Sequence, residues 1–191
     1  MAHEKFDISK IARLDDEGRL TELDPELMWD ALGRPSPEVI VDVGAGTGLF
    51  ARRFASLAPA ATVFAVDTEP AMIRWMDEHE DPAIGSRLVP VLAEETHVPL
   101  PDAAADLVVM INLHHELASP RDSYAEAFRL LRSEGQLLVA DWALGDTVGG
   151  PPQEIRATSA QIADMLRGVG FERVTHHEGL PRHTLVTAYK G

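Results

Sequence analysis

Val39-Ile40-Val41-Asp42-Val43-Gly44-Ala45-Gly46-Thr47-Gly48 is an apolar run interrupted by one acid and closed by three alternating glycines. A helix-like segment begins at Leu49. The pattern predicts a buried strand, a tight turn and a helix start. Glycine has no Cβ, so backbone N–H groups in such a turn can approach a ligand closely. The spacing is G-x-G-x-G, whereas the dinucleotide fingerprint is G-x-G-x-x-G, with a third glycine that would fall on Leu49. That difference argues against a nicotinamide dinucleotide as the ligand.

Outward from this turn the chain alternates. Residues 61–66, 87–92, 106–111, 136–140, 171–177 and 184–189 read as further strands. Helices are predicted over 48–58 and 70–79, from Ser119-Pro120 to about Arg132, and after a Thr158/Gln161 capping box. Alternating strands and helices imply a parallel sheet covered on both faces. The last two strands, joined by a short turn around Pro181, must be antiparallel to each other. The expected fold is α/β: a Rossmann-like, doubly wound, seven-stranded sheet, mostly parallel, with an antiparallel C-terminal strand pair. Residues 1–37 are expected to form a helical N-terminal extension. In it Asp24 is the N-cap, Pro25 the first helical position, and Leu27, Met28, Ala31 and Leu32 an apolar stripe. Residues 38–191 form the core, so that 1–191 is a single domain.

Composition narrows the function. With 191 residues the chain suits one domain with a full core. A formal net charge of −14 disfavours nucleic acid, whose phosphates would be repelled. The absence of cysteine excludes disulfides and thiol catalysis and fits a cytoplasmic setting. No signal-like segment opens the chain, and no apolar run approaches the roughly 20 residues that span a bilayer, so no membrane partner is expected.

In an open α/β sheet the ligand sits beyond the carboxyl ends of the strands, where strand order reverses. Gly44, Ala45, Gly46 and Gly48 lie at the first such end. Their turn and the following helix start suit an anionic group. Asp42, an acid inside an apolar strand, needs a partner; it organises the turn or reaches a ligand amine. Asp67 closes the second strand, and its carboxylate can accept two ribose hydroxyls. It can instead cap the next helix, in competition with Thr68 and Glu69.

Residues 93–102 read Ala-Glu-Glu-Thr-His-Val-Pro-Leu-Pro-Asp. They resemble a segment of class I S-adenosylmethionine-dependent methyltransferases: Gly-Asp-Ala, three residues, then Leu-Pro-Phe-Pro-Asp. The glycine turn resembles that family's first motif. Residues 106–142 are similar to its small-molecule branch, which includes ubiquinone and menaquinone biosynthesis methyltransferases. The likeness covers 38–142 well and 151–190 loosely. The family's Lys-Pro-Gly-Gly is replaced here by Arg132-Ser133-Glu134-Gly135. The resemblance implies S-adenosylmethionine as cofactor, methyl transfer to a small molecule, and a monomer or homodimer. It places Glu94 near the adenine amine, Glu95 at a position where the family has a small residue, and Asn112 and Leu113 at the methionyl end.

His114 or His115 is a candidate base for the acceptor. The pair matches no helical zinc motif, and no metal is expected. His176, His177 and His183 are expected to be solvated. Acceptor specificity is expected from Phe6 and Trp29, the loop 142–152 and the final turn, with 149–152 either a mobile cover or an ordinary surface loop. Two rival readings stand beside the main one: an NAD(P)-dependent oxidoreductase, and a non-catalytic S-adenosylmethionine-binding protein.

Overall fold

The computed structural model describes residues 11–145 and 149–191; Phe6 and residues 146–148 of the loop 142–152 lie outside the described residues. The chain opens with two short helical turns, α1 (Ile11–Leu14) and α2 (Arg19–Glu22), and then α3 (Pro25–Ala31). Asp24 caps α3 by accepting from the Glu26 N–H at 2.9 Å. The core follows as β1 (Val39–Val43), α4 (Leu49–Leu57), β2 (Thr62–Asp67), α5 (Pro70–Glu78), β3 (Leu88–Leu92), β4 (Ala105–Ile111), α6 (Pro120–Leu130), β5 (Leu131–Trp142), α7 (Ser159–Val169), β6 (Glu172–His177) and β7 (His183–Tyr189).

The seven strands form one sheet in the order β3-β2-β1-β4-β5-β7-β6. Pairings from β3 through β5 are parallel, and β7 runs antiparallel to both β5 and β6. The expected architecture is therefore present, with β7 inserted between β5 and β6. Strand order reverses between β1 and β4, which opens a crevice at their carboxyl ends.

Side chains alternate between the two faces, as the strand period requires. Ile40, Leu107, Val109, Leu138 and Ala140 pack with Met28, Trp29, Phe50 and Phe54. Val41, Val108, Met110, Leu137 and Val139 pack on the opposite face with Tyr124, Leu130, Ile162 and Leu166. Both faces are covered, so β4 reads as nearly continuous apolar sequence. Trp29, expected to shape specificity, is instead a core residue with its ring centroid 5.8 Å from that of Phe54.

β5 is longer than the sequence suggests. It begins at Leu131, directly after α6, and a register shift separates the Ala105↔Leu131 pair from Leu107↔Gln136. The exposed Arg132-Ser133-Glu134 stretch occupies that shift and hides the strand from a hydrophobicity pattern. Gly135 is required there: a Cβ would lie 2.8 Å from the Arg132 carbonyl oxygen. Among the described residues no helix is long and apolar enough to cross a membrane.

Candidate functional site

The glycine turn is held from below. Gly44 and Ala45 N–H groups both donate to the Val66 carbonyl, at 2.8 and 2.9 Å. The Gly46 N–H donates to Asp67 Oδ2 at 2.8 Å. Gly44, Gly46 and Gly48 all have positive φ, of 75°, 56° and 78°, a region open to glycine at little cost. The amides of Gly44, Ala45 and Gly46 therefore hold the turn itself. An anion is left with the first turn of α4, whose N–H groups have no carbonyl partner within the helix.

Asp67 does two structural jobs at once. Oδ2 takes the Gly46 N–H, and Oδ1 takes the Glu69 N–H at 2.9 Å. The α5 cap itself is Glu69, which accepts from Ala71. Burial raises the Asp67 pKa above its ordinary value, against these N–H donors. Thr68 is exposed beside it. Asp42 is 2% exposed on β1, with Oδ2 unpartnered among the described residues. Burial, then the neighbouring Asp67 charge, pushes its carboxyl up to about 7, although the Ala51 N–H and the Arg19 guanidinium pull the other way.

Glu94 is exposed just beyond β3, its backbone paired with His97. Glu95 has its carboxylate occupied: Oε1 accepts from Ala118 at 2.8 Å and Ser119 at 3.3 Å, bracing the entry to α6. Asn112 ends β4 with φ 53°, its N–H on the Ala140 carbonyl and Oδ1 buried without a partner. Leu113 lies across Gly44, where an added Cβ would come within 2.7 Å of its Cδ1.

The adjacent histidines separate on a short 3-10 turn, His114–Glu116. His114 turns into the core and shares a 2.7 Å hydrogen bond with Tyr124, and burial lowers its pKa. Its Nδ1 and the face of its ring are thus engaged inside the protein. His115 holds Asp141 at 2.8 Å and lies 3.5 Å from Glu116. Burial lowers its pKa, but the bonds to Asp141 and then Glu116 outweigh it and push it up to about 9. The folded value lies above the unfolded one. The contribution to stability is therefore complete below about pH 6.5 and is lost as pH rises through about 9. Asp141→Asn should lower the His115 pKa by about 2 units, read from its ring-carbon NMR shifts against pH. A titration still centred near 9 would show that Asp141 does not hold the charge.

A strap covers this edge. α1 and α2 are tied to α4 by Asp15–Arg52 at 2.5 Å and Glu17–Arg53 at 2.7 Å, and to the start of β7 by Glu22–Arg182. The Leu14 side chain is the one that a Cβ on Gly46 would approach, at 3.9 Å. Arg19 hangs from the strap over Phe50, bonded to the Leu14 carbonyl, and burial lowers its pKa. Beyond β5, Arg156 donates to the carbonyls of Ala143, Gly149 and Pro151. Residues 149–152 are thereby stapled to the body, which gives them the character of an anchored loop.

Sequence reasoning missed Arg19, Asp141 and His183. Arg19 belongs to no motif. Asp141 was legible by the argument applied to Asp42, since it ends an apolar run. His183, expected to be solvated, is buried against Trp142 with ring centroids 4.5 Å apart. Of the other two, His176 is exposed as expected and His177 is half-buried on Thr187 at 2.8 Å.

Comparison with known proteins agrees with this fold. A computed match to a solved structure, a SAM-dependent methyltransferase from Aquifex aeolicus, covers 98% of this chain and 100% of that one, at 27% identity and a TM-score of 0.87. A malonyl-[acyl-carrier protein] O-methyltransferase of Geobacter sulfurreducens is 37% identical over 122 residues, 64% of this chain and 43% of the relative. The ubiquinone/menaquinone biosynthesis C-methyltransferase UbiE of Dinoroseobacter shibae is 29% identical over 62% of this chain and 48% of the relative. The chain thus matches less than half the length of these curated relatives. The family model described as a methyltransferase domain matches residues 41–139, just over half of the chain. That span runs from the acid-bearing β1 through the glycine turn, Asp67, Asn112 and the paired histidines to β5, and on it this chain belongs to the methyltransferase domain family.

Proposed function

We propose that this chain binds S-adenosylmethionine in the crevice at the carboxyl ends of β1, β2 and β4 and methylates a small molecule. The observation that carries the reading is the pair of buried oxygens on the two strands that flank the strand reversal, Asp42 Oδ2 and Asn112 Oδ1, both unpartnered among the described residues. Buried polar atoms are rarely left without partners, and a ligand ammonium supplies hydrogen-bond donors of the kind both lack. S-adenosylmethionine, when bound, supplies a sulfonium-activated methyl group.

The chain's own residues then hold and align. Gly44, Ala45, Gly46 and Gly48 leave room for close approach. Asp67 and Thr68 stand where a ribose would lie, and Glu94 where an adenine amine would. Asn112 and Leu113 border the methionyl end. In-line displacement needs alignment and exclusion of water more than a reactive side chain, and the strap from α1 to α2 provides cover. Glu95 braces the entry to α6 through Oε1, as Asp67 braces the glycine turn, and follows Glu94 in the chain. The named relatives act on different acceptors, so they do not select one here.

Calorimetry should show adenosylhomocysteine binding at least about a hundredfold tighter than NAD, about 2.8 kcal/mol. Preference for NAD would overturn the reading in favour of an oxidoreductase. Adenosylhomocysteine release on adding an acceptor separates the enzyme from a non-catalytic binder.

A further inference from the structure

Four neighbouring strands in the sheet each present a buried, unpartnered polar group at the same edge. Asp42 Oδ2 lies on β1, Asn112 Oδ1 just past β4, Asp141 Oδ2 on β5, and both ring nitrogens of His183 on β7. β7 is antiparallel, so its first residue, His183, stands level with Trp142 at the carboxyl end of β5 and two residues beyond the end of β4. Three inter-strand steps, about 14 Å, separate the first and last strands of this row, and His183 stands four residues further along the sheet than Asp42.

The first two members fit the donor. The last needs another explanation. His183 is 7% exposed, and neither Nδ1 nor Nε2 has a hydrogen-bond partner among the described residues. A neutral imidazole offers one donor and one acceptor, and leaving either unmet in the interior is costly. Its register partner on β5 is Trp142, whose half-exposed ring tilts against it at 44°. The charged and titratable groups facing it are Asp141, Arg182, Arg19 and His115. Arg182 is held by Glu22 of the strap. Asp141 Oδ1 is occupied by His115 and by the Trp142 N–H, both at 2.8 Å.

We propose that His183 forms the far end of the acceptor site and hydrogen-bonds a hydroxyl carried on a flat ring that stands beside Trp142, whose own ring already carries the Arg156 guanidinium at 5.4 Å. The assignment rests on the donor reading above, which fixes the other end of the row. Burial, the leading cause, lowers the His183 pKa to about 4, so the ring is neutral near pH 7 and free to accept from a hydroxyl. Entry requires the strap to lift at Glu22–Arg182, beside the histidine.

The test uses catechol and its dimethyl ether veratrole, which has the same ring and no hydroxyl. Each is titrated into the whole protein, with and without saturating adenosylhomocysteine, while the His183 ring is followed by NMR. Catechol should shift that ring and bind about tenfold tighter than veratrole. His183→Phe should erase the preference, and His183→Gln, which keeps a donor and an acceptor, should retain part of it. Adenosylhomocysteine affinity should stay within about twofold in both. Equal binding of the two probes, no binding of either, or a preference that survives His183→Phe would overturn the proposal. If His183→Phe fails to fold by circular dichroism, a full preference in His183→Gln, or a wild-type His183 ring that catechol does not shift, would do the same. Failure of adenosylhomocysteine itself to bind would strike the donor reading, whereas donor binding without catechol binding would strike this one alone.

Discussion

Gly44→Val should abolish measurable donor binding, a loss of at least about a hundredfold in affinity, and lower the melting temperature by about 6 °C. Two independent faults produce this. The backbone at Gly44 has φ 75°, and a Cβ there would sit 2.7 Å from Leu113 Cδ1. The first costs of order 1–3 kcal/mol for a residue with a side chain. The second pushes Leu113 off the turn and with it the loop beginning at Asn112. A destabilisation of about 2 kcal/mol corresponds to that shift in a domain of this size. Gly46→Val gives an internal comparison. Its φ of 56° is also strained, but the added Cβ would meet only Leu14, at 3.9 Å. Differential scanning calorimetry should rank Gly44→Val below Gly46→Val. Equal melting temperatures, or wild-type donor affinity in Gly44→Val, would show that the turn is not the cradle described.

Asp42→Asn should make the protein more stable and the site worse. The folded carboxyl titrates near 7 rather than its usual 3.8, so the native state binds the proton more tightly than the unfolded chain. Wild-type stability therefore falls as pH rises from about 4 to about 7. Asparagine removes that ionisation. The gain should be absent at pH 4, grow through pH 6 and level off above pH 7, at about 4 kcal/mol or about 12 °C. Donor affinity should drop about thirtyfold at pH 8, the worth of one charged hydrogen bond. A variant no more stable than wild type at pH 8, or one that binds the donor equally well, would remove Asp42 from the site. A buried acid that costs stability where an asparagine would not is the conflict between stability and function expected of a binding residue.

The sheet and the glycine turn at the crevice were readable because their signals are local. An apolar run ending in Gly44-Ala45-Gly46-Thr47-Gly48 determines strand, turn and helix start within ten residues, and Thr158 with Gln161 determines a helix end within four. β5 was read short because the exposed Arg132-Ser133-Glu134 stretch sits in a register shift, and only pairing with β4 makes it a strand. Identical residues also diverged for reasons no local pattern carries. His114 and His115 are neighbours in the chain. One is locked to Tyr124, 10 positions on, and the other to Asp141, 26 positions on.

Hydrophobic periodicity and glycine placement thus determined, from the sequence by itself, the α/β order, the antiparallel ending and the position of the crevice, since each depends on backbone geometry over a few residues. The proposed acceptor edge was decided by tertiary structure alone. It joins Arg19, Asp141, Trp142 and His183, which meet because the strap folds over the sheet and β7 inserts beside β5. Burial and charge neighbours at that edge, which are properties of the assembled fold, give His115 and His183 opposite protonation states at neutral pH.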